Sequence, residues 1–325
     1  MSPPRLLCVG NVFLDTVYRV DAIPAVPTKL RAHARVIGIG GMAPNAALAA
    51  RRLGAAVHLW SRVGDDATGR DLLALLRAEV IDTGAVSVCA GQPTPGSAIL
   101  VDAAGERLVC AYPNPGLPAD VAHLDADLPT AVDAVLADPR WPKAAELALR
   151  RARAASRIAM LDVDRAPGAQ LQRLVEGASH VVCSEAGALD LCAQPGASAP
   201  PGANAPHALD DASVAALLDR VAARCPGATL VAITRGARGV VWRDAGDARA
   251  ARAVAYLPAT VVAAVDTLGA GDVFHGALAV ALAEGAALPA AMRFASTAAA
   301  IKCTRFGGGG GAPTRGEVDA CAGLT

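Results

Sequence analysis

Residues 266–280 read DTLGAGDVFHGALAV and place Gly269, Ala270 and Gly271 directly before the carboxylate of Asp272, at the mouth of an alanine-rich apolar run. Glycines in this pattern let consecutive backbone N–H groups turn inward and form an anion-binding concavity. A helix starting there adds positive potential at its N-terminus. A negative side chain inside an anion hole needs a task. Accepting the proton of a hydroxyl that attacks a phosphoryl group is such a task. An Asp in this position also serves as a plain helix cap, so the string alone leaves two readings.

Other glycine patterns compete for a nucleotide role. GIGGMA (38–43) superficially fits G-x-G-x-x-A, with Asp65 following. In a dinucleotide-binding fold, however, the glycines follow the first strand, and here the first strand-like run is RLLCVGN (5–11). The loop G-x-x-x-x-G-K-[ST] is absent from the chain. The 30 basic and 30 acidic residues cancel, with no basic block to suggest a nucleic-acid or anionic-membrane partner. The eight cysteines form no C-x-x-C pair, which argues against structural zinc. No secretory pattern opens the sequence and no uncharged apolar run of membrane length interrupts it, so a soluble cytoplasmic protein is expected.

The elements that must position these residues follow from periodicity. APNAALAARRLG (43–54) reads as a helix stopped by Gly54, and TGRDLLALLRAEV (68–80) as an amphipathic helix. VHLWSRVG (57–64), AVLAD (134–138), IAMLDVD (158–164), HVVCS (180–184), ATLVAIT (228–234) and GVVWRD (239–244) read as strands that alternate with helical stretches. That rhythm predicts an α/β fold: a mostly parallel central sheet covered by helices on both faces. Two stretches break the alternation, about 16–37 and 92–113, the second carrying SAILVD and RLVCAY around the turn AAGE. They are expected to form a small separate β-sheet, a lid over one edge of a single domain spanning residues 1–325. QPGASAPPGANAPH (194–207) has no periodicity and reads as a surface insertion.

At this length the strings resemble a known family. DTLGAGDVFHGAL is similar to the second signature of the PfkB (ribokinase-like) carbohydrate kinases, and GGMAPNAALAARRLG (40–54) to the first. GNVFLD (10–15), RVGDDATGRDLL (62–73), AILVDAAGERLV (98–109), TRGARGVVW (234–242) and a C-terminal glycine-rich loop follow the same order. The resemblance implies a three-layer α/β/α domain with a lid sheet that often dimerises, and an ATP-dependent sugar kinase requiring Mg²⁺. It assigns Asp272 as the base and Gly269, Ala270 and Gly271 as the hole for the transferred phosphoryl group. It places Asp15, Gly40, Gly41 and Asn45 at the sugar, and Thr234, Gly236, Gly239 and Ser296 at the nucleotide. Arg235 and Arg238, beside that nucleotide loop, are expected to face phosphate or solvent. Asp266 and Thr267 fall near the monovalent-cation loop of relatives, which implies K⁺. One departure stands out: relatives carry N-x-x-E after the strand HVVC, and this chain has Ser184-Glu185-Ala186-Gly187, leaving Glu185 as the nearest carboxylate for a metal.

YPNP (112–115), LADPRW (136–141) and the C-terminal helices are most similar to the branch containing sulfofructose kinase, with ketohexokinase-like relatives nearby. Lys29 and Arg140 match two of the side chains that hold an acidic sugar tail there, whereas Ala111 replaces an Asn, and Asn45 is the ribokinase-type choice. The expected substrate is a ketose or an acid-bearing sugar. The alternatives are a kinase for ribose, another sugar acid or a nucleoside, and a non-catalytic sugar or nucleotide sensor on the same fold. A nicotinamide enzyme built on GIGGMA is the third. His275 is expected to pack rather than react.

Overall fold

In the first strand, β1 (Arg5–Val9), Leu6 and Cys8 face one apolar layer while Leu7 and Val9 face the other, all with no solvent exposure. This period of two, apolar on both sides, marks a strand buried between two helical layers. The computed structural model describes residues 2–193, 209–246 and 253–322; the 194–207 stretch read as an insertion lies outside them. Within the described residues β1 joins β2 (Phe13–Arg19), β3 (Ala34–Gly40), β4 (Ala56–Gly64), β5 (Val86–Cys89), β6 (Gly96–Val101), β7 (Arg107–Tyr112), β8 (Ala134–Ala137), β9 (Ile158–Val163), β10 (His180–Ser184), β11 (Leu230–Thr234), β12 (Val240–Asp244) and β13 (Ala255–Leu257). The main sheet is nine-stranded, in the order β13-β12-β11-β10-β9-β8-β1-β4-β5. It is parallel from β11 to β5, and β12 runs antiparallel to both of its neighbours.

The ten helices are α1 (Met42–Arg52), α2 (Ala67–Ala78), α3 (Leu128–Ala131), α4 (Pro142–Ala154), α5 (Gly168–Gly177), α6 (Glu185–Cys192), α7 (Asp211–Arg224), α8 (Ala270–Ala283), α9 (Leu288–Cys303) and α10 (Arg315–Ala322), again among the described residues. One apolar layer joins α1, α2, α8 and α9 to the sheet, and the opposite layer joins α4, α5, α6 and α7. This is the three-layer α/β/α arrangement expected from the sequence. None of these helices is long and apolar enough to cross a membrane.

The stretches that broke the alternation form a second, four-stranded sheet, β3-β2-β6-β7. Its strands run from Phe13 to Gly40 and from Gly96 to Tyr112, a few residues away from the bounds of the sequence reading. The GIGG glycines close β3 in this small sheet instead of following β1, so the dinucleotide reading has no structural basis. The short strands β5 and β13, four and three residues long, carried too little pattern to be read.

Helices α1 and α8 cross at unusually short range. A Cβ at Gly276 would lie 2.5 Å from the carbonyl oxygen of Ala46, so only glycine allows the crossing. We expect Gly276→Val to cost about 1–3 kcal/mol through overpacking, read as a lower urea midpoint with an unchanged slope. A midpoint equal to that of the native protein would refute the close crossing.

Candidate active site

The α1–α8 crossing brings two sequence motifs into contact. Asn45, in the first turn of α1, donates from Nδ2 to Oδ2 of Asp272 in the first turn of α8, at 2.8 Å. Asn45 is buried, and its Oδ1 accepts no hydrogen bond. A buried amide oxygen without a donor carries a desolvation cost that a ligand hydroxyl would relieve. Gly41 starts α1 with φ +96°, and a Cβ there would lie 2.2 Å from the Asn11 carbonyl oxygen. The turn from the small sheet into α1 therefore requires glycine.

Before α8 the chain turns at Gly269, which has φ 77° and leaves the helix without a side-chain cap. Asp272 is thus not the cap of this helix; it lies inside the first turn. Among the described residues the N–H groups of Gly269, Gly271 and Asp272 donate to no protein acceptor. Three donors converge on a helix N-terminus, which suits an anion. Gly309, in the glycine-rich loop 307–311, closes the other side: a Cβ on Gly269 would approach its nitrogen to 3.0 Å.

Burial pushes the Asp272 carboxyl up to about 8, with the neighbouring Asp162 adding to the rise while the Asn45 amide and His275 oppose it and Asp164 adds again. The side chain keeps some contact with solvent, so water screens part of this push. Asp162 is buried and its carboxyl is held well above the ordinary range, first by desolvation and then by Asp164 and Asp138. His275, 2% exposed, sits between them. Its Nδ1 lies 2.7 Å from the Gly271 carbonyl and 3.3 Å from Asp162 Oδ2, and its Nε2 lies 3.3 Å from the Val182 carbonyl. Desolvation lowers its pKa. The imidazole therefore pins the first turn of α8 to β9 and β10, a packing and positioning role.

At the small sheet, Asp15 is 9% exposed and its carboxyl is raised to about 6 by burial, with a hydrogen bond to Ser97 opposing. A Cβ on Gly40 would meet this carboxylate at 2.1 Å, so Gly40 makes room for it. Lys29 lies on the exposed loop between β2 and β3 with no hydrogen bond or ion pair among the described residues. Arg140, just before α4, is partly exposed and bound on its guanidinium. Its Nη1 donates to the Arg165 carbonyl at 2.9 Å and its Nη2 to Asp164 Oδ2 at 3.4 Å. The structure thus brings Asp15, Gly40, Gly41, Asn45 and Asp272 into one continuous site. It does not assemble Lys29 and Arg140 into a joint cationic pocket. Ala111 is exposed on β7, opposite Ser97 in register.

At the far end of the sheet, Thr234 ends β11 and donates to the Cys183 carbonyl at 3.3 Å. Gly236 and Gly239 take positive φ, 57° and 85°, in the loop that follows. Ser296 is half-buried on α9. Two expectations need correction here. Arg235 is buried rather than solvated, while Arg238 stays partly exposed; both are bound to carboxylates. Arg235 is buried against Glu185 (3.2 Å) and Asp211 (2.6 Å), and Arg238 grips both Glu185 oxygens at 2.8 Å. Glu185, expected as a metal carboxylate, is thereby committed to two guanidinium groups. Gly187, where relatives carry Glu, packs so tightly that a Cβ would lie 2.1 Å from the Val163 carbonyl oxygen.

The expected K⁺ position at Asp266 also does not fit. Asp266 and Lys302 are both fully buried, and the Lys302 ammonium donates to the Asp266 carbonyl at 2.7 Å and lies 3.5 Å from its Oδ2. A cation already fills the place that K⁺ would take. Mg²⁺ needs only one or two carboxylates besides phosphate. Asp164, half-exposed and hydrogen-bonded by Ser184 at 3.3 Å, has the chemistry to hold it.

Asp138, Asp162 and Asp164 escaped the sequence reading. Asp138 is 1% exposed, accepts the Ala43 amide at 3.0 Å and so anchors the start of α1. All three lie at or just past the C-terminal ends of β8 and β9. Ligands gather at the carboxyl ends of strands in open α/β sheets. A search for carboxylates closing the runs AVLAD and IAMLDVD would have found them.

The chain matches the model of the pfkB family of carbohydrate kinases over residues 3–315. It is 29% identical over 319 residues to the ribokinase of Bacillus subtilis (strain 168), covering 97% of this chain and 98% of that protein. The ribokinase of Mus musculus is 27% identical, with 86% and 81% of the two chains covered. Among solved structures, a putative ribokinase from Agrobacterium tumefaciens is 37% identical, covers 99% of this chain and 98% of its own, and superimposes with a TM-score of 0.88. The Arabidopsis thaliana ribokinase complexed with ribose and ATP, at 20% identity, 98% coverage of both chains and a TM-score of 0.78, shares the fold.

The raised carboxyl of Asp272 has a stability signature. Its ordinary value is 3.8 and its folded value is about 8, so between them the folded state holds the extra proton and rising pH removes stability. Asparagine does not titrate. The gain in melting temperature from Asp272→Asn is therefore expected to be larger at about pH 8.5 than at about pH 4.5. A gain that is flat or shrinks with pH would show that desolvation does not govern this carboxyl.

Proposed function

The chain belongs to the pfkB family of carbohydrate kinases, and from that premise we propose that it transfers the γ-phosphoryl group of ATP to a hydroxyl of an unphosphorylated sugar, with Asp272 as the base. The observation that carries this reading is the Asn45–Asp272 hydrogen bond beside three unclaimed N–H donors. A carboxylate held near neutrality is a better proton acceptor than an ordinary Asp. The substrate hydroxyl gives its proton to Asp272. Its oxygen bonds to the γ-phosphorus, and the bond to the β-γ bridging oxygen breaks to release ADP. The N–H groups of Gly269, Gly271 and Asp272 receive the charge on the transferring oxygens. Mg²⁺, when bound, neutralises the phosphates, and Asp164 is the carboxylate in place for it. Thr234, Gly236, Gly239 and Ser296 line the nucleotide side.

The sugar lies between the small sheet and the α1–α8 crossing. Asp15 accepts its hydroxyls, and the Asn45 oxygen that lacks a donor takes another. Arg107 on β7 donates to Thr267 Oγ1 at 2.9 Å, and Thr267 in turn donates to the Gly105 carbonyl at 3.2 Å. These contacts hold the hairpin of the small sheet over the loop before α8, which excludes water from the reacting centre. The names of the similar proteins and the Asn45 amide move ribose ahead of the ketose and acid-bearing sugars expected from the sequence. With Lys29 on an exposed loop and Arg140 bound to Asp164, little supports an acidic tail.

We expect Asp272→Asn to lower turnover by about 100-fold or more while ATP still binds by calorimetry; undiminished turnover would remove Asp272 as base. A coupled ADP-release screen of ribose, ketoses, sugar acids and sulfo-sugars is expected to favour ribose. A preference for an acid-bearing sugar would return the assignment to Lys29 and Arg140. On the face of the small sheet turned away from Asp15, Ile37, Leu108 and Tyr112 are exposed, an apolar face that suits a homodimer. Sedimentation should give a dimer that Leu108→Asp dissociates, and a monomeric native protein would end that assignment.

A further inference from the structure

Lys302 is among the largest side chains with no solvent exposure. Burying an ammonium is costly unless it is paired and hydrogen-bonded. Its pairing is with Asp266, through the backbone carbonyl at 2.7 Å and Oδ2 at 3.5 Å. Asp266 spends the rest of its carboxylate on backbone amides: Leu268 at 2.8 Å, Gly307 at 2.9 Å and Gly308 at 3.1 Å. The pair therefore ties together the two loops that frame the anion hole, 266–269 and 307–311. Gly309 of the second loop sits against both Gly269 and Asn45.

Resting on the kinase reading, we propose that the Lys302 ammonium is a built-in monovalent cation that replaces K⁺ behind the phosphate loop and makes the enzyme independent of added monovalent ions. The carbonyl and carboxylate oxygens of Asp266 are the ligands K⁺ would use, and they already face a charge of the same sign on a tether. A tethered ammonium loses no translational freedom on each occupancy, so the loop stays ordered at any salt composition. Lys302 is a positioning residue: it touches no reacting atom and acts through Asp266 and the loop.

The native protein is assayed for phosphoryl transfer and for melting temperature in potassium, sodium and tetramethylammonium chloride at equal ionic strength. Activities within about twofold of one another, and melting temperatures that do not respond to K⁺, are expected. Activation by K⁺ of about tenfold or more, or a K⁺-dependent rise in melting temperature, would overturn the proposal. Lys302→Ala opens a cation-sized space beside Asp266. In tetramethylammonium it should melt lower and turn over more slowly than the native protein, and K⁺ or ammonium should restore part of both. A folded Lys302→Ala protein that neither ion rescues would reduce Lys302 to a packing residue and overturn the proposal. If no sugar supports turnover, the kinase reading fails while the melting measurements still decide the role of Lys302.

Discussion

The close crossing of α1 and α8 at Gly276 and Ala46 is the constraint on which the site depends. It sets the distance between Asn45 and Asp272, two residues far apart in the chain that must share one hydrogen bond. Each helix is then fixed at its other contacts. Asp138 holds the first turn of α1 against the end of β8, and His275 holds the first turn of α8 against β9 and β10. Burial raises the Asp272 pKa, and Asp162 and Asp164, at the end of β9, add to the rise. A looser crossing would admit water and leave an ordinary Asp.

Two ionic networks brace the site, one fully buried and one reaching the surface. Asp266 and Lys302 join the loops around the anion hole through backbone amides. Glu185, Arg235, Arg238 and Asp211 tie α6 and α7 to the loop after β11. Removing one partner of the buried Asp266–Lys302 pair leaves an uncompensated charge, which costs more than the intact pair contributes. These networks therefore specify geometry more than they add stability.

The layers, the small sheet and the two glycine signatures were legible in the sequence, because alternation and glycine spacing are local patterns. The roles of charged side chains were not. Glu185, Arg235 and Arg238 read as groups facing metal, phosphate or solvent, yet they face one another across fifty residues of sequence. Asp266 read as part of a cation loop, and nothing local showed that Lys302 on α9 would reach it. Arg140 was expected at a sugar's acidic tail, and its partner Asp164 was not seen. Spacing reveals which residues share an element; it does not reveal which charges the fold will neutralise internally.

Gly187 bears on how such a site changes through descent. Its backbone lies against the Val163 carbonyl, so the space for any side chain at that position has been given to the α6–β9 contact. Placing a glutamate there is closed to a single substitution, since α6 must first withdraw from β9. That withdrawal would in turn disturb Ser184 and its bond to Asp164. A carboxylate wanted at this end of the sheet must therefore come from a position other than 187, as that of Asp164 does.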